Sequence, residues 1–197
     1  ETIDTAWIIT ETELAPRLLD AELHGGGSCP QLFRQVRGHR MAKAAVENAV
    51  WDLEAQVEKR PLAEILGGTR TVIPCGVSIG IQPSVEQLMD KIAAELDAGY
   101  QRIKLKCKPG WDTRIFESVR SRWPGITLSC DANSAYRRRD FDHIAEWEQF
   151  NLLMIEQPLW YDDFYFHATL QSRLKTAICL DESIRNRRDA LAAIAME

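Results

Sequence analysis

One interval constrains this chain more than any other feature. The apolar run Leu152-Leu153-Met154-Ile155 ends in Glu156 and is closed by Gln157-Pro158. Twenty-five residues earlier, Asp131 closes Ile126-Thr127-Leu128-Ser129-Cys130; twenty-five later, Asp181 follows Ala177-Ile178-Cys179-Leu180. One more step back reaches Lys106, in Arg102-Ile103-Lys104-Leu105-Lys106, and another reaches Ile81, after Val77-Ser78-Ile79-Gly80. Short apolar runs at a fixed spacing read as strands, and the uninterrupted run before Glu156 suits a parallel strand covered on both faces. Five strand ends in register are expected.

Helical patterns fill the intervals. Ser84-Val85-Glu86-Gln87 reads as a capping box that opens a helix closed by Gly99, and residues 112–122, 140–150 and 189–196 carry apolar residues at helical spacing. Strands alternating with helices predict an α/β fold, and polar residues at successive strand C-termini are where a (β/α)8 barrel keeps its chemistry. A closed barrel needs eight such units, roughly 200 residues or more. The expectation is therefore a partial (β/α)8 barrel of the TIM type, about five units over residues 73–197. It would be an incomplete chain with exposed strand edges. The alternative is an open, doubly wound sheet of five strands, with its ligand at a switch point.

Residues 1–72 read as helical. An amphipathic helix is expected over 1–23 with a break at Pro16, then a flexible linker at Gly25-Gly26-Gly27-Ser28, which lacks the spacing of a phosphate cradle. The strongest helix spans 41–57 with a broad apolar face, and a short one over 61–66 stops at Gly67-Gly68.

Composition excludes some classes. The 197 residues are 45% hydrophobic and 27% charged, without a run of eighteen apolar residues or a signal-peptide pattern, so a soluble, cytoplasmic protein with no membrane partner is expected. A net charge of -5 without a basic stripe argues against nucleic acid, and Arg137-Arg138-Arg139 reads as a solvated loop. Five cysteines with no CxxC pair fit a reduced compartment, with Cys107, Cys130 and Cys179 as small apolar strand residues. His24, His39, His143 and His167 lack metal-ligand spacing, and no nucleophile motif is present.

The strand ends carry the chemistry. Asp131, Glu156 and Asp181 offer oxygen ligands only, which suits Mg²⁺ or Mn²⁺ rather than zinc. Lys104 and Lys106 are two apart and share a strand face. An ammonium in a dry site beside a second ammonium has its neutral form favoured, as a general base requires. Base plus metal suggests removal of a proton next to a carboxylate, with the metal holding the charge of the resulting enediolate.

At these residues the sequence resembles the enolase superfamily: Lys104-Leu105-Lys106, Asp131-Ala132-Asn133, Glu156-Gln157-Pro158 and Asp181-Glu182-Ser183 are similar to its KxK, DAN, EQP and DES signatures. Residues 38–55, 66–70, 76–81, 99–106 and 179–184 resemble its o-succinylbenzoate synthase and N-succinylamino-acid racemase branch, with Cys107 and Lys108 departing slightly from it.

The resemblance implies that 1–72 is the helical part of an α+β N-terminal capping domain. It also implies a magnesium-dependent syn dehydration that yields o-succinylbenzoate, a step in menaquinone synthesis, on a small carboxylate substrate. Lys106 would be the base and the acid for departing hydroxide, and Lys104 would tune it and neutralise the substrate carboxylate. Asp131, Glu156 and Asp181 would bind the metal, Asn133 and Glu182 would support it, and Ser78 and Asn133 would be substrate contacts. The family's second catalytic lysine would fall past the last residue, and the N-terminal sheet that carries substrate-closing loops is not in the sequence. Racemisation of N-succinylamino acids is the sister expectation, and a truncated, non-catalytic metal-binding or interaction module is a third. A homo-oligomer is compatible with all three.

Overall fold

The computed structural model describes residues 1–196, which divide into two compact units, one of Glu1–Ile73 and one from Pro74 onward. Among the described residues no helix is long and apolar enough to cross a membrane.

In the first unit, α1 (Ile3–Ile9) is capped by Thr2, whose side chain accepts from the Thr5 amide. A π-helical turn at Thr10–Leu14 leads directly into α2 (Ala15–Leu19). Pro16 sits in the first turn of α2, where its missing N–H is harmless. The expected break at Pro16 is therefore a widened turn just upstream, and the helix stops at Leu19 rather than residue 23. The flexible linker is also corrected. Gly26–Ser28 forms a 3-10 turn, Gly26 is buried, and its amide donates to Glu54 Oε2 at 2.8 Å. A Cβ on Gly26 would run into the Trp51 ring, so this glycine is required by close packing. After α3 (Cys29–Leu32) come α4 (Arg40–Glu58) and α5 (Leu62–Ile65). Leu14, Cys29, Phe33, Val36, Ala42 and Val50 form the core.

The second unit holds β1 (Val77–Ile79), β2 (Arg102–Lys106), β3 (Thr127–Asp131), β4 (Met154–Glu156) and β5 (Ala177–Cys179). Between them run α6 (Val85–Asp97), α7 (Thr113–Arg122), α8 (Phe141–Ala145, flanked by 3-10 turns) and α9 (Phe164–Gln171); α10 (Arg187–Ile194) follows β5. Ser84 caps α6 by accepting from the Gln87 amide, as its sequence pattern predicts. All strands are parallel and each pairs with the next in sequence, in the order β1-β2-β3-β4-β5. That order never reverses, which removes the doubly wound alternative and leaves the winding of a (β/α) barrel that does not close among these strands.

Two details of the sheet differ from the sequence expectation. Leu153 precedes β4 and is 49% exposed, so the apolar run is not all strand. Nor are the five strand ends in one register. Lys106 pairs with Asp131 and Asp131 with Glu156, but Glu156 pairs with Cys179 and Ser78 with Lys104. Asp181 thus lies two residues beyond the last ladder pair of β5, and Ile81 lies outside β1. Equal spacing in sequence equals register only across β2, β3 and β4, because the connections on either side differ in length.

Ladder partners share a face. One face presents Ile79, Ile103, Leu105, Leu128, Cys130 and Ile155, all buried in one cluster with Leu88 and Ile92 of α6, Ile115, Phe116 and Val119 of α7, and Ile144 and Trp147 around α8. The other presents Ser78, Lys104, Lys106, Ser129, Asp131 and Glu156.

Candidate active site

The polar face gathers most of the predicted residues at the strand C-termini. Asp131 is 1% exposed, and Glu156 is buried beside it. Lys106 Nζ donates to Asp131 Oδ2 at 2.5 Å and to Asn133 Oδ1 at 2.6 Å. Lys104 Nζ donates to both oxygens of Glu156 at 2.7 and 2.9 Å, and stands 3.7 Å from Asp131 Oδ2. Two buried carboxylates are therefore compensated by two ammonium groups, as burial of charge demands. Burial pulls the Lys104 pKa down, but the hydrogen bond and charge of Glu156, with the charges of Asp131 and Asp181, outweigh it and the net shift is upward.

The loops are bent to serve these groups. Asp131 Oδ1 accepts from the Asn133 amide at 3.0 Å, and Asn133 Nδ2 donates to Glu182 Oε1 at 2.9 Å. A polar chain thus runs Asp131, Lys106, Asn133, Glu182. Asn133 and Ser134 have φ of 42° and 65°, and Gln157 has 39°. Three non-glycine residues in the left-handed region at two adjacent strand ends is strain of the kind that marks functional sites.

Other predicted residues are placed less centrally. Ser78 is exposed and is the ladder neighbour of Lys104. Asp181 is exposed and lies near enough to Lys104 to act on its charge. Among the described residues no three acidic, histidine or cysteine side chains are gathered at metal-ligand spacing. The donor set nevertheless fits a hard cation: it is all oxygen, and Ser129 Oγ and Glu182 Oε2 are buried without a hydrogen-bond partner. Asp131, Glu156 and Asp181 are the residues available to hold such an ion.

Sequence reasoning gave no role to Gln157, which is 0% exposed and hydrogen-bonded to the Asp181-Glu182-Ser183 turn. An amide side chain between a buried strand and a proline was its only signal. Two of the histidines are engaged within the fold: His143 meets Asp112, which also accepts from Tyr136, and His167 accepts from the Leu159 amide. Cys130 is buried in β3 and Cys179 half-buried in β5, as expected of small apolar strand residues, whereas Cys107 is buried one residue past the end of β2.

With this geometry in view, likeness to known proteins becomes informative. Residues 87–197 match the family described as Enolase C-terminal domain-like, and residues 3–67 match the Mandelate racemase / muconate lactonizing enzyme N-terminal domain. The chain belongs to the enolase superfamily, whose members are generally metal-dependent. It is 47% identical over 194 residues to an o-succinylbenzoate synthase of Geobacillus kaustophilus, covering 98% of this chain and 52% of that protein. It is 43% identical over 196 residues to an N-succinylamino acid racemase of Thermus thermophilus, covering 100% of this chain and 53% of that protein. A solved member of the superfamily from Listeria innocua superposes with a TM-score of 0.94 at 45% identity, over 100% of this chain and 53% of that one. The chain spans about half the length of the curated relatives it matches.

Proposed function

We propose that this protein is an o-succinylbenzoate synthase: a cytoplasmic dehydratase that uses Mg²⁺, with Mn²⁺ as an alternative, to remove water from a succinyl-hydroxycyclohexadiene carboxylate. The observation that carries this reading is Lys106 held between Asp131 and Asn133, with Lys104 beside it on the same strand face. In support stand the curated relatives of that name.

Lys106 takes the proton alpha to the substrate carboxylate. Lys104, held by Glu156, keeps a positive charge next to it that attracts the substrate carboxylate. Asn133 keeps the Lys106 amine aimed at one spot. The proton taken by Lys106 then passes to the hydroxyl leaving from the same face, so H⁺ and OH⁻ depart as water. Asp131, Glu156 and Asp181 would hold the ion, which when bound neutralises charge that builds on the carboxylate as the proton leaves.

The test is dehydration followed by loss of the cyclohexadiene's ultraviolet absorbance. Turnover is expected with Mg²⁺, is lost with EDTA and is lost in Lys106→Ala; turnover retained in that variant would overturn the reading. A racemase reading is favoured by the Thermus thermophilus relative. Deuterium wash-in at the alpha carbon of an N-succinylamino acid separates the two.

A further inference from the structure

We infer that Gln157 is a positioning residue that sets the Asp181-Glu182-Ser183 turn against the lysine and carboxylate cluster; the inference rests on the metal-site reading above. The ladder aligns Lys106, Asp131 and Glu156 through backbone pairing alone. It cannot do the same for Asp181, which lies beyond the last paired residue of β5. Something else has to carry register into that turn.

The Gln157 side chain does so. Its Oε1 accepts from the amides of Asp181 at 2.9 Å and Ser183 at 3.2 Å, while its Nε2 donates to Ser183 Oγ at 2.7 Å and to the Leu159 carbonyl at 3.3 Å. Only one orientation of the amide satisfies this set, because two backbone N–H groups need an acceptor and a carbonyl needs a donor. The backbone of Gln157 ties the same point to both neighbours: its N–H donates to the Cys179 carbonyl at 2.8 Å, and its carbonyl accepts from Ser134 at 2.8 Å. Among the described residues, hydrogen bonds from this turn to the polar cluster run through Gln157 and through Asn133 to Glu182. Gln157 holds a left-handed φ of 39° despite its Cβ, and in that conformation every polar atom of the residue is used.

The experiment measures Mn²⁺ affinity of the full chain by electron paramagnetic resonance, together with amide exchange at residues 181 and 183. Gln157→Leu matches the shape but orphans both amides. Its Mn²⁺ affinity is expected to fall roughly 10- to 100-fold, the usual effect of losing a residue that orients a ligand, and exchange at 181 and 183 to quicken. Gln157→Glu keeps both acceptor contacts but turns an oxygen toward the Leu159 carbonyl and adds charge beside the cluster, so it is read by exchange alone, which is expected to stay slower than in Gln157→Leu. A Gln157→Leu protein that merely melts earlier, with affinity and exchange unchanged when folded, overturns the inference. Should Gln157→Leu not fold, Gln157→Asn, one methylene shorter and unable to reach both amides, takes its place; unchanged affinity and exchange there overturn it equally. Asp181→Asn is expected to weaken Mn²⁺ binding without quickening exchange. Unaltered binding in Asp181→Asn overturns the metal reading of Asp181, and unaltered exchange in Gln157→Leu overturns the bridge, so the two failures appear on different signals.

Discussion

The two faces of the parallel sheet are built from the same strands, residue by alternate residue, and are held by different forces. On the helix side Ile103, Leu105, Leu128, Cys130 and Ile155 are all within 1% of full burial and belong to one hydrophobic cluster. On the other side Lys104, Lys106, Asp131 and Glu156 are held by charge and hydrogen bonds, with the lysines partly open to solvent. The comparison teaches that stability and chemistry are separable here to the resolution of one residue. A substitution at an odd or an even position of β2 or β3 is expected to strike chiefly one of them.

Four measurements break or sharpen that separation. The largest effect is on the polar face: Lys106→Ala is expected to cost roughly a thousand-fold in turnover, within the range for loss of a general base. Its urea midpoint should fall too, because Asp131 loses a partner, but by less than in Leu128→Ala, since Asp131 keeps the Asn133 amide and Lys104 nearby; a drop as large as that variant's would break the separation. Next, Leu128→Ala on the apolar face should destabilise the second unit by about 2–5 kcal/mol, read from chemical denaturation, while the Mn²⁺ affinity of the folded protein stays constant.

Tyr136→Phe probes a polar group lodged within the apolar side. The Tyr136 hydroxyl donates to Asp112 Oδ2 at 2.7 Å, and Asp112 also meets His143 Nε2 at 2.9 Å and the Thr113 amide at 2.7 Å. Burial, first of all, pushes the Tyr136 pKa far up, so the hydroxyl remains a donor. Loss of this donor should cost about 1–2 kcal/mol in the same denaturation experiment; no cost would mean that the buried carboxylate is satisfied by His143 and the amide alone.

The smallest effect is in acid. Burial lowers the His167 pKa below 6.5, more than its hydrogen bond to the Asp163 carbonyl raises it. His167 is therefore neutral in the fold, and its contribution is fully present above the unfolded value and lost as pH falls through the lowered folded value. Stability should decline below pH 6.5 by at most about 1.4 kcal/mol per pH unit from this one group. Thermal scans of His167→Phe between pH 7 and 5 should lack that part of the slope.

Sequence alone carried the strands that alternate and the helices that cap. The alternation Ile103-Lys104-Leu105-Lys106 announces both faces of β2, and Ser84 with Gln87 announces α6, because each pattern depends on neighbours a few residues away. What remained hidden depends on distant partners. Gly26 looks like a linker until Trp51 is placed above it. Asp181 looks level with Glu156 until the ladder shows Cys179 in that place. Gln157 looks incidental until the turn it holds has folded against it. Lys104, Lys106, Asp131 and Glu156 were legible as a group because three consecutive strands do keep one interval, and Asn133 only through the family resemblance.

The left-handed residues at 133, 134 and 157 bear on how such a protein would drift under laboratory selection. Glycine is the residue that takes those backbone angles at least cost. A screen that rewarded heat resistance alone would weigh that relief against lost contacts: at 133 glycine discards an amide that ties one strand end to another, and at 157 it also orphans the Asp181 and Ser183 amides. Heat resistance and a working pocket would then have to be selected together, since at these positions the more comfortable backbone is the one with nothing left to hold.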